Sequence, residues 1–175
     1  MSLPSVDELV AVYNQVRGSD VARAEQRLFQ QFGIDALVPR LIECYPRVRR
    51  ASGRAAILFW LPRFARERED VVQLARLALI DATCQVRSEA CSILAYSLRY
   101  DMLDDLVPLL DHAHPKTRDD AAAAIDAIGS RNHHYYVDRA HTGATFWGVR
   151  AGDVPVKPGK PRLSPTLLLL EAPAA

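Results

Sequence analysis

The chain has 175 residues, 49% hydrophobic and 25% charged, which is the make-up of one folded unit or one short repeat array and excludes disordered, collagen-like and coiled-coil classes over most of its length. With 22 Lys+Arg against 21 Asp+Glu the formal charge is +1, so the whole-chain balance predicts neither nucleic-acid nor membrane affinity. Three cysteines (Cys44, Cys84, Cys91) without a CxxC point to neither a disulfide framework nor a zinc ribbon. With no signal-peptide pattern at the start and no bilayer-length apolar run, they predict a cytoplasmic protein without a membrane span.

Along the chain, Ser5 followed by Glu8 reads as a capping box at a helix start. Residues 6–17 and 20–32, divided by Gly18-Ser19-Asp20 and closed by Gly33, read as a helix pair. Residues 34–52 (IDALVPRLIECYPRVRRAS) and 103–121 (LDDLVPLLDHAHPKTRDDA) then match register for register. Both hold LVP, an apolar pair, a second proline (Pro46, Pro115) and an arginine three residues on (Arg49, Arg118). Residues 74–90 repeat the outline with Ile80-Asp81, Val86-Arg87 and Ala90. In 86–98, Val86, Ala90, Ile93, Leu94 and Leu98 form one helical stripe. Asp70 with Gln73 reads as a second capping box. Arg49 to Arg87 is 38 residues and Arg87 to Arg118 is 31, so an excess of 7 is expected within residues 60–70, where Pro62 predicts a broken second helix.

This pattern of an acid, a turn and then Val-Arg-x-x-Ala resembles HEAT-type repeats in their short bacterial form, over roughly residues 34–130. The resemblance implies an all-α, HEAT-like α-solenoid of about four helix pairs, in which the acid and the arginine form a ladder between repeats. Glu43 with Arg49 and Asp81 with Arg87 take those places; in the third copy Arg118 matches, but His112, after Asp111, replaces the acid. Residues 1–33 become an N-terminal capping pair, as end repeats are commonly atypical.

After Gly129 the helical pattern stops. The aromatic and β-branched stretch 133–149 around Thr142-Gly143 reads as a β-hairpin within residues 131–152, covering the last helix pair or presenting Tyr135, Tyr136, Phe146 and Trp147 to a partner. Residues 153–175 carry five prolines and read as an extended tail, with a short helix after Ser164-Pro165 and an apolar run at Leu167–Leu170.

Chemistry-bearing patterns are sparse. The five histidines (His112, His114, His133, His134, His141) lie within thirty residues, yet no Cys or carboxylate joins them at a ligand spacing, so they are read as surface or capping residues with no metal or cofactor implied. The His-Glu dipeptide of HEAT-like metal hydroxylases is absent, as are Gly-x-Ser-x-Gly and Gly-rich phosphate loops, and each Cys lies in or beside an apolar helical stretch. Catalysis is therefore disfavoured. Charge is more informative: residues 40–68 hold eight arginines against two glutamates (+6), while 101–126 hold seven aspartates against Lys116 and Arg118 (−5). The repeat register puts Arg50, Arg54, Ser88, Ser92, Tyr96, Arg99, Asp119 and Ala123 on a concave groove running from basic to acidic, and Asp120 and Trp147 are expected to join the groove residues in binding a partner. The leading expectation is a non-catalytic scaffold that binds a protein on this groove. One version is an immunity or inhibitor protein whose Asp101–Asp126 face covers a basic site. The alternative is nucleic-acid binding through the Arg40–Arg68 region, as in HEAT-like DNA-alkylation-repair enzymes. A HEAT-like lyase or chaperone for a bilin finds no dedicated residue.

Overall fold

A computed structural model describes residues 2–15 and 17–154. Among these the chain is all-helical, with no strand. Eight α-helices run α1 Val6–Tyr13, α2 Gly18–Phe32, α3 Ile34–Cys44, α4 Ala51–Phe59, α5 Glu69–Ala78, α6 Cys84–Ser97, α7 Leu103–Leu106 and α8 Pro115–Gly129. Short 3₁₀ turns link or follow them, at Tyr45–Arg47, Pro62–Phe64, Tyr100–Met102, Val107–Asp111, His133–Tyr136 and Ala151–Asp153. No helix among the described residues is long and apolar enough to cross a membrane.

Local chemistry sets most boundaries. The Ser5–Glu8 capping box forms and starts α1. Gly33, at φ +74°, ends α2 and opens α3, a backbone state that a side chain would strain. The expected Asp70–Gln73 box does not form: α5 begins one residue earlier, Gln73 pairs with Glu69, and Asp70 binds Arg68 and its neighbouring amide. Pro108 cuts the first helix of the last pair to a single turn, α7, continued as the 3₁₀ turn Val107–Asp111. The break anticipated near Pro62 is present, with α4 ending at Phe59 ahead of the 3₁₀ turn Pro62–Phe64.

One continuous core joins the helices. It includes Leu9, Tyr13, Leu37, Leu41, Ile57, Leu58, Leu61, Ile93, Leu94, Leu106 and Ile128, all effectively inaccessible to solvent. Helix α6 is its axis: α4 packs on one flank, α8 on the other, and α5 alongside. At the N-terminal end α1 lies on α3 and α4, and α2 on α1, α3 and α4. Crossing of α1 over α4 requires Gly53, because a Cβ there would lie 2.0 Å from the Tyr13 carbonyl oxygen.

The expected β-hairpin is not formed. Residues 131–154 make an irregular strap in which side chains take several of the backbone donors and short turns take others. The Asp138 carboxylate accepts from the Thr142 amide (3.1 Å), the Thr142 hydroxyl (2.8 Å) and the Gly143 amide (2.7 Å). The Trp147 amide donates to His134 Nδ1, and the Val149 and Arg150 amides donate to Asp153 Oδ2. Donors committed in this way are lost to a cross-strand ladder. The tail expected at residues 153–175, with its helix after Ser164 and Leu167–Leu170, lies outside the described residues apart from Asp153 and Val154.

Candidate functional site

Three arginines inside helices make one recurring contact. Arg54 Nη1 donates to the carbonyls of Val48 and Arg49, Arg87 Nη1 to that of Asp81, and Arg118 Nη1 to those of His112 and Ala113. Each reaches back five or six residues over the turn that precedes its own helix. Two also reach forward to the next turn: Arg54 forms a forked pair with the Asp81 carboxylate (2.7 and 3.1 Å), and Arg87 Nε donates to the Thr117 hydroxyl at 3.0 Å. Arg49, expected in the first rung, does not take that place. Its amide is held by Asn14, and Glu43 pairs instead with Arg40. The spacings become 33 and 31 residues, so the expected seven-residue excess disappears.

Of the residues expected to line an open groove, Ser88, Tyr96 and Asp120 are engaged by the strap. Tyr96 is fully buried; its hydroxyl donates to Asp153 Oδ2 (2.9 Å), Arg66 lies over its ring, and the rings of His133 and Trp147 meet it edge-on. Ser92 is buried and bonded to the Glu89 carbonyl, while Ser88 receives Lys116 on its hydroxyl and Tyr136 on its carbonyl. Asp120, 2% exposed, accepts from Lys116 Nζ at 2.8 Å and from Arg139 of the strap at 2.7 Å. Burial raises its pKa, but its hydrogen bonds, led by Lys116, outweigh this and hold the carboxyl below the usual carboxylate range. Arg99 is half-buried against Glu69 and Asp101, and Asp119 alone of the acidic pair is exposed. Trp147 is half-buried against the core.

Three of the five histidines, His133, His134 and His141, belong to the strap. His133 Nδ1 faces Arg66 and its Nε2 the Trp147 carbonyl, which fixes the neutral Nε2–H tautomer. Burial, with His134 beside it, lowers its pKa to about 4. His141 sits on Asp126, and His112 Nδ1 accepts from the His114 amide. Among the described residues no group of three or more His, Cys, Asp or Glu is placed to hold a metal ion. Cys44 and Cys91 are buried with thiols pushed up to about 12, a state without nucleophilic thiolate.

Most of the charge segregation is spent internally. Asp101, Asp105, Asp120 and Asp126 are bound by Arg99, Arg76, Lys116 with Arg139, and His141. In the basic region Arg40, Arg54 and Arg68 pair with Glu43, Asp81 and Asp70, and Arg66 donates to the Tyr96 carbonyl. Arg47, Arg49 and Arg50 stand apart. All are exposed, and with Val10, Asn14 and Pro46 they line a cleft of about 730 Å³. Neither Arg49 nor Arg50 enters an ion pair among the described residues, and only Asp7, at the rim, binds Arg47. Asn14 organises the cleft: its Oδ1 accepts from the Arg49 and Arg50 amides (2.9 and 3.3 Å), and its carbonyl accepts from Arg50 Nε (2.9 Å). The terminal nitrogens of Arg50 stay available to a forked acceptor. Helix α4 starts on this turn with a basic N-cap and no acid in its first turn, the reverse of what its dipole favours. That mismatch was readable in the sequence and marks the spot; Asn14 carried no comparable signal.

Compared with models of protein families and with curated proteins, the sequence matches none.

Proposed function

We propose that the chain is a HEAT-like α-solenoid acting as a non-catalytic protein-binding module, and that its recognition surface is the arginine cleft, which takes an acidic segment of a partner. The repeat reading is supported by the contact shared by Arg54, Arg87 and Arg118 and by the succession of α4, α6 and α8, whose arginines are spaced by 33 and 31 residues. The site reading is carried by one observation: among the described residues Arg49 and Arg50 present guanidinium groups without carboxylate partners around an open cleft, while Ser88, Tyr96 and Asp120 on α6 and α8 are engaged by the chain's own strap. Arginine is enriched at protein interfaces, and complementary charge steers encounter.

A protein segment fits better than a nucleic-acid duplex. Duplex binding commonly draws on about six to ten phosphate contacts, whereas five of the eight arginines in residues 40–68 are committed within the chain. The inhibitor version, with an acidic face over a basic site, has less in its favour because, of the four exposed aspartates there, Asp101 is bound by Arg99 and only Asp104, Asp111 and Asp119 stand outside an ion pair among the described residues. The test is fluorescence anisotropy with a labelled oligo-aspartate peptide and a labelled DNA duplex. The peptide should bind the native chain and lose at least about tenfold in affinity with Arg49→Glu and Arg50→Glu together, two charge reversals each worth 1 kcal/mol or so. Unchanged peptide affinity in that variant, or preferential binding of the duplex with a steep salt dependence, would overturn the reading.

A further inference from the structure

We propose that Glu25 sets the pH response of the arginine cleft: its carboxyl, enclosed where α2 meets α1 and the end of α4, holds α1 in place only while it carries a proton. The inference rests on the reading of the cleft as an anion site and adds its regulation.

Glu25 is 6% exposed and occupies the apolar stripe of α2, between Val21 and the pair Leu28 and Phe29; of that helix only Val21 and Glu25 are buried. Its Oε1 has no hydrogen-bond partner, nor has the hydroxyl of Tyr13 on α1. The groups beside the carboxyl are the Tyr13 phenol and the Trp60 indole at the end of α4, where Phe29 meets Trp60 edge-on at 5.0 Å. No cation faces it. The charged residues of α1 (Asp7, Glu8) and α3 (Asp35, Arg40, Glu43) are exposed, Arg54 of α4 is taken by Asp81, and Asp20 and Arg23 of α2 pair with each other while Arg27 is exposed. Cys44 of α3, against Tyr13, stays neutral. Burial pushes the Glu25 carboxyl up to about 7, with Tyr13 and Trp60 pulling weakly the other way.

The link to the cleft is one residue long. Tyr13 is followed by Asn14, which holds both amides of the Arg49–Arg50 turn and the Arg50 Nε, and the Tyr13 carbonyl sits against Gly53. A proton lost from Glu25 leaves a buried charge with only the Tyr13 and Trp60 donors beside it, too little to offset its burial, and water is the remaining partner. Hydrating it moves α1 and α2 apart, withdraws Asn14 from the turn and loosens the cleft. The new negative charge at this end also opposes an anion, so both effects favour binding on the acid side.

The test follows affinity for a labelled oligo-aspartate peptide, whose carboxylates stay ionised from about pH 6 to about pH 8, at constant ionic strength in the native chain and in Glu25→Gln. Native affinity should fall about tenfold across that range, the scale of ordinary site-to-site coupling, and Glu25→Gln should hold its acid-side affinity throughout. Parallel falls, or a flat native profile, would overturn the inference while leaving the cleft reading intact. A peptide that binds at no pH would overturn both. The indole N–H resonance of Trp60 in the native chain gives a second measurement that needs no variant: it should titrate with a midpoint near 7, and its constancy over the range would equally contradict the proposal.

Discussion

Asp120 shows how far a residue's neighbours can redirect its meaning. Two adjacent aspartates at the start of a helix read as solvated charge, and Asp119 is that. Asp120 instead ties the strap to α8 through Arg139 and is almost entirely enclosed. Its pKa is depressed in the folded chain, so the stability it contributes is present above its unfolded value near 3.9 and is lost as pH falls through the folded one. Asp120→Asn should cost about 2 kcal/mol in chemical denaturation and make the strap more susceptible to limited proteolysis, since two charge-assisted bonds are lost while Lys116 and Arg139 can still reach water. Asp119→Asn should change stability by less than about 0.5 kcal/mol. Equal effects of the two would contradict this assignment. Tyr96 was similarly half-legible: its place in α6 followed from the helical stripe, but its cover did not, because Asp153 lies 57 residues on in a segment with no periodic pattern.

At the scale of elements, the helices were legible and their register was only partly so. The Pro-x-x-Arg match equates Pro46 with Pro115, yet Pro46 sits in a 3₁₀ turn five residues ahead of the first residue of α4 whereas Pro115 is the first residue of α8. Sequence spacing cannot see that difference, and it made Arg49 stand in for Arg54. The strap was misread for a related reason: aromatic and β-branched composition favours strands only where backbone donors are free, and here Asp138, His134 and Asp153 take them. Crossing of α1 and α4 offers a sharp test. Gly53→Ala places a methyl against backbone, at 2.0 Å from the Tyr13 oxygen and 3.0 Å from Val48 Cγ1. It should destabilise the chain by about 3 kcal/mol and weaken peptide binding at the cleft by displacing Asn14. Gly129→Ala, with open space around it, serves as the control and should be tolerated in both assays.

For the whole molecule, a chain of nearly zero net charge carries two opposed regions, and folding disposes of them differently. The acidic region is largely consumed in holding α5 to α7, α8 to the strap and one loop to itself. Among the described residues the basic region leaves Arg49 and Arg50 outside such pairing, where α1 and the turn before α4 form an open cleft. A near-neutral total thus leaves Arg49 and Arg50 exposed outside ion pairs among the described residues, and the proposed recognition rests on that part of the charge which the fold has not neutralised. The most direct measurement is the map of backbone amide shifts produced by titrating a labelled chain with the oligo-aspartate peptide. Shifts should centre on Asn14 and on residues 47–53. Shifts confined to Ser88, Asp119 and the strap, with the arginine turn unmoved, would contradict the assignment of the cleft.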